Sequence, residues 1–129
     1  MFEFYLALKD HLETNMNLFA PVSLNGLTID PKSISIGSMP SSLGNKFYDG
    51  KRQRIIQIQV LVKSKDPKEA MNTAEAIDTF LDGNSFKVTG YRVDSCESYV
   101  PPSFLEETDA KEWKYTAAYR AEIIKESDL

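Results

Sequence analysis

The stretch Arg52 to Lys63, RQRIIQIQVLVK, alternates with a period of two and is followed by an abrupt change of pattern at Asp66-Pro67-Lys68-Glu69. The alternation puts Ile56, Ile58, Val60 and Val62 on one side and Gln57, Gln59, Leu61 and Lys63 on the other, as in a half-buried strand. At the change, Asp66 is placed to accept from first-turn amides, Pro67 suits the first helical position and Glu69 can reach back to Asp66. Ala70, Ala74, Ile77 and Leu81 then repeat at helical spacing, with Phe80 beside them, and Asp82-Gly83-Asn84 is a left-handed stop. A strand that runs directly into a capped helix commits the chain to a mixed α+β domain. The two Ala on the helical stripe let the helix lie close to a sheet.

Other segments extend this frame. Tyr5, Leu8, Leu12 and Met16 share a face of a first helix from Phe2 to about Leu18. Pro21, Asn25-Gly26 and Asp30-Pro31 mark a linker to about Lys32. Ser33 to Gly37 alternates briefly and predicts a short edge strand, and Pro40 to Lys51 reads as a loop holding Leu43, Phe47 and Tyr48 without a period to bury them. Phe86 to Glu97 is expected to be a third strand with a bulge at Gly90, ended by Tyr99-Val100-Pro101-Pro102. Ser103 to Glu112 is expected to be an acidic connector, and Trp113 to Lys125 a long strand, aromatic on one side.

The expected topology is α-β-β-α-β-β in one domain, 1–129. It predicts a four-stranded, mainly antiparallel sheet of order 1-2-4-3, with both helices on one face. The other face, carrying Gln57, Gln59, Lys63, Lys114, Thr116, Arg120 and Glu122, is expected to stay uncovered in a monomer.

The chain has 15 Lys and Arg against 19 Asp and Glu, one His and one Cys. A net charge of -4 offers little for displacing counterions from duplex DNA. No apolar run approaches the ~20 residues of a membrane-spanning helix, and the acidic opening MFEFYLALKDHLE is unlike a secretory leader, so a soluble, unprocessed protein is expected, with no membrane partner. His11 has no second imidazole for a metal pair. Cys96 lies beside Asp94 and Glu97, which oppose thiolate formation. Glu106, Glu107, Asp109 and Glu112 lack the ordered ligands and central Gly of a calcium loop. No catalytic, cofactor or metal site is expected. Lys51, Arg52 and Arg54 beside Phe47 and Tyr48 combine residue types enriched at protein interfaces.

The strand RIIQIQVLVKSKD, the helix PKEAMNTAEAIDTFLDG and the stretch VPPSFLEETDAKEWKYTAAYRAEI, taken together over Phe47 to Ile124, resemble the minor capsid or tail terminator proteins of long-tailed bacteriophages. The resemblance implies an α+β subunit of the virion, assembled in the bacterial host cytoplasm. It implies a ring, commonly a hexamer, that ends tail-tube polymerisation and docks to the head connector. The implied partners are further copies of itself, the tail tube protein and the head-completion protein, with DNA only passing through the lumen. On this reading Leu43, Phe47, Tyr48, Lys51, Arg52 and Arg54 contact a neighbouring subunit or the tube, and Glu106, Glu107 and Asp109 form an acidic face or the lumen wall. Two other readings use the same fold: a small enzyme or binding domain whose open sheet face, with Gln57, Gln59, Arg120 and Glu122, lines a pocket, and a ring adaptor of a phage-tail-like secretion device.

Overall fold

A computed structural model describes residues 2–38, 47–49 and 53–126, with the backbone alone at 47–49 and 53. The elements are α1 (Phe2–Asn15), β1 (Val22–Leu24), β2 (Ser33–Ser38), β3 (Phe47–Asp49), β4 (Gln53–Ser64), α2 (Pro67–Leu81), β5 (Phe86–Val88), β6 (Tyr91–Glu107) and β7 (Trp113–Lys125). Six strands form one sheet in the order β1-β2-β4-β7-β6-β5, and β3 pairs with the start of β4.

This corrects the expected four-stranded sheet in number and character. The sheet has seven strands and is mixed, because β1 runs parallel to β2. The additional strands, Val22–Leu24, Phe47–Asp49 and Phe86–Val88, have three residues each, too few to show a period. β2 is not an edge strand, since β1 and β4 flank it and both its Ser33 and Ile34 faces are buried. Gly90, at φ 84, is part of the tight turn between β5 and β6 rather than a bulge within one strand. β6 also continues through Pro101 and Pro102 to Glu107, so the acidic connector shrinks to the turn before Trp113. Proline is tolerated there because a register shift between Val100 and Ser103 leaves both prolines out of the ladder with β7, on a strand whose other side is an edge.

The inner face pairs Ile56 with Ala121, Ile58 with Tyr119 and Val60 with Ala117, alternating large and small side chains. α2 packs its buried Ala70, Ala74, Ile77 and Leu81 over β4, β6 and β7. α1 contacts β1, β2 and β5, elements at opposite ends of the strand order, so the sheet curls around it. Phe4, Leu8 and Leu12 join the same core, and Phe4 meets Tyr91 edge-on with ring centroids 5.4 Å apart. The Tyr5 hydroxyl donates to the Gln57 carbonyl at 2.9 Å, tying the helix to the central strand.

The start of α2 is capped through a relay. Asp66 accepts from the Lys68 amide at 3.0 Å, as its sequence context predicts. Glu69, however, does not bond the Asp66 amide directly: the Ser64 hydroxyl accepts from that amide at 3.1 Å and donates to Glu69 at 2.8 Å.

Lys63, expected on an open face, is buried. Its ammonium donates to the Thr28 carbonyl at 2.7 Å and lies 3.7 Å from Glu112, which the Thr108 hydroxyl also reaches at 3.2 Å. This group joins the 25–30 turn, the end of β4 and the β6–β7 turn. Removing one member of a buried pair leaves the other charge without compensation, whereas an exposed pair contributes little. Glu112→Ala is therefore expected to lower unfolding free energy by about 3 kcal/mol. Glu106→Ala, whose carboxylate is 3.9 Å from Lys114 in a more exposed pair, should change it by under ~0.5 kcal/mol in the same denaturant titration.

Candidate functional site

The outer side of β6 is covered in two steps and then left open. β5 pairs with Tyr91 to Val93. The turn after α2 takes over next: the Gly83 amide donates to the Cys96 carbonyl at 2.7 Å, the Ser85 hydroxyl to the Asp94 carbonyl at 2.6 Å, and the Ser98 amide to Asp82 at 2.7 Å. Beyond Ser98, among the described residues, no strand pairs with this side of β6. Among the described residues, the edge from there to Glu107 is free.

Its first part is blunted by Pro101 and Pro102, which donate no amide. The Ser103 hydroxyl bonds back to the Pro101 carbonyl at 2.7 Å, and from Ser103 onward every residue has an amide hydrogen. Phe104 pairs with Tyr115 and Glu107 with Trp113 across the ladder, while Glu106 pairs with Lys114 on the opposite face. The Phe104 ring lies 5.6 Å from Trp113 and 5.8 Å from Tyr115, yet is 52% exposed, and Leu105 at the adjoining register shift is 49% exposed. An outer strand edge with no partner among the described residues thus borders an aromatic shelf and carries two carboxylates.

Of the acidic residues singled out by sequence, Glu106 and Glu107 stand on this strand and Asp109 in the turn, all exposed. Leu43, Lys51 and Arg52 lie outside the described residues. Phe47 and Tyr48 contribute backbone to β3, opposite Ile55 and Arg54, and their side chains are outside the description. Arg54 is half-buried in β4, opposite Ile123. Phe104, Leu105 and Trp113 were not selected by sequence, because the double proline hid the continuity of the strand.

On the outer sheet face, Gln59 joins Asn25, Gly26, Ser35, Gly37, Ser38 and Leu61 around an open cleft of about 420 Å³. These walls hold no titratable side chain. Gln57, Arg120 and Glu122, grouped with Gln59 by sequence, do not line it. The Gln57 Oε1 atom is buried without a hydrogen-bond partner.

Cys96 is buried, and desolvation, reinforced by Asp82, Asp78 and Glu97, pushes its thiol up to about 12. Tyr119 donates to Asp78 at 2.8 Å, and burial raises its phenol well above the ordinary range. Both serve the core. His11 stacks on Phe86 with centroids 4.9 Å apart and tilts against Phe80 at 5.3 Å.

No protein-family model and no curated protein matches the sequence. Among solved structures, a chain titled "Virion of native gene transfer agent (GTA) particle" superposes with a TM-score of 0.67 at 11% identity, covering 95% of this chain and 96% of its own. The two chains share a fold. A second solved structure superposes with a TM-score of 0.53 at 18% identity, covering 92% of this chain and 89% of its own.

Burial lowers the pKa of His11 below its ordinary 6.5. Below that value the unfolded chain binds the proton first, so His11 subtracts stability as pH falls through about 6.5 and toward its folded pKa. His11→Phe, which keeps the stacking, is expected to lose less stability than the parent between about pH 7.5 and 5.5, measured by denaturant unfolding at each pH.

Proposed function

We propose that this protein is a structural subunit of a phage-like particle, assembled in the bacterial host cytoplasm, that forms a ring at the head-proximal end of the tail tube. The reading is carried by the fold shared with a virion chain along nearly the full length of both. The sequence resemblance to tail terminator proteins points to the same assembly independently of the superposition. The role is one of contact rather than catalysis.

The physical task suits a small rigid domain. A polymer of repeating rings presents the same addition surface after each step, so length control requires a last ring that binds that surface without recreating it. Head-to-tail contacts between identical subunits close into rings when the rotation permits, and six copies are the expected number. One ring face meets the tail tube protein and the other the head-completion protein. Leu43, Phe47, Tyr48, Lys51, Arg52 and Arg54 are the proposed contact with a neighbouring subunit or the tube. Glu106, Glu107 and Asp109 are proposed for a ring face or the lumen wall, where negative charge keeps passing DNA mobile.

Deleting the gene in a particle-producing background and imaging the lysate tests the role. Overlong tails separate from DNA-filled heads are the expected outcome, and normal particles would refute it. For the contact, Phe47→Ser with Tyr48→Ser is expected to abolish ring formation by light scattering while leaving the thermal midpoint of the monomer in place.

A further inference from the structure

The open edge of β6 has properties that edge protection alone does not explain. Proteins commonly blunt a free edge with proline, register shifts and charge, and β6 uses all three. Toward its end, however, the protection is reduced to the register shift at Leu105 and the two carboxylates, with no proline. After Pro102 no proline interrupts Ser103 to Glu107, so the alternate amides that face away from β7 can donate, and two of these residues are large apolar side chains about half exposed, Phe104 and Leu105. A segment shielded merely against pairing would be polar there. Backbone donors and acceptors beside an apolar shelf are what strand addition uses: main-chain bonds supply affinity and alternate side chains supply selection.

The charge on the edge selects the occupant. Glu106 projects on one face and Glu107 on the other, beside Trp113, with Asp109 following in the turn. Antiparallel pairing of this edge with the same edge of a second copy, centred on Leu105, would set Glu106 opposite Phe104 and Glu107 opposite Ser103, leaving the four carboxylates with no countercharge from the partner strand beyond the Lys114 that each Glu106 already has at 3.9 Å. A strand with Lys or Arg alternating with apolar residues meets the same carboxylates with attraction, and its apolar side chains cover Phe104 and Leu105. We infer that Ser103–Glu107 is a strand-addition site for an extended, cationic and apolar segment of a different protein. This does not depend on the ring or on its place in a tail, since it uses only the free edge, its exposed side chains and their charge.

The test uses the full-length protein and three fluorescent synthetic peptides: one alternating Lys and Val, one alternating Glu and Val, and the Lys-Val peptide N-methylated on alternate amides. Saturable binding of the Lys-Val peptide by anisotropy is expected, with amide chemical-shift changes centred on Ser103 to Glu107. The Glu-Val and N-methylated peptides are each expected to bind at least about tenfold more weakly, through lost charge pairing and lost backbone bonding respectively. Glu106→Lys with Glu107→Lys, a change of exposed side chains, should shift the preference toward the Glu-Val peptide. Because the methylated peptide leaves the protein untouched, its result does not rest on the folding of any variant. Absence of saturable binding, equal binding of the methylated peptide, or shift changes located elsewhere would overturn the inference. So would dimerisation of the protein through the same edge.

Discussion

The ladder between β4 and β7, from Arg54 opposite Ile123 to Ser64 opposite Trp113, is the contact on which the other elements depend. It carries the inner stripe that α2 packs over, in a core that α1 joins. Its side-chain sizes decide how closely they approach: Ala117 and Ala121 on β7 leave room, and Ala70 and Ala74 on α2 fill it from above. Tyr119, the largest fully buried side chain, fits because its hydroxyl finds Asp78 on the same helix. A buried phenol without that partner would sacrifice a hydrogen bond made in water.

From this ladder the sheet extends unequally. Toward β2 and β1 it ends beside the 25–30 turn, whose backbone is held by Ser33, Ser35 and Lys63. Toward β6 it is closed only as far as Ser98, where the turn after α2 ends its contacts. Among the described residues this leaves an apolar, acidic strand edge beyond Ser98. A rigid scaffold with an unpaired edge is suited to assembly, because ordering entropy has already been lost in folding and is not charged again on binding. Cys96 and Tyr119, the groups whose titration is most displaced, are both core side chains and stand apart from that edge.

The sequence by itself determined the long elements. Period-two alternation in β4 and β7, helical spacing in α1 and α2, and the Asp66-Pro67 start all depend on neighbours a few residues apart, so they are legible without any fold. Tertiary structure decided what became of short and polar segments. Val22–Leu24 and Phe86–Val88 are strands because β2 and β6 offer them partners, not because three residues have a pattern. Lys63 is buried because Thr28 and Glu112, distant in sequence, converge on it. Pro101 and Pro102 looked like a stop, yet they lie within β6 because a register shift between Val100 and Ser103 leaves both out of the ladder with β7 and their outer side is an edge. Whether a strand edge is paired depends on which segment lies next to it, and that is a property of the assembled sheet rather than of local sequence.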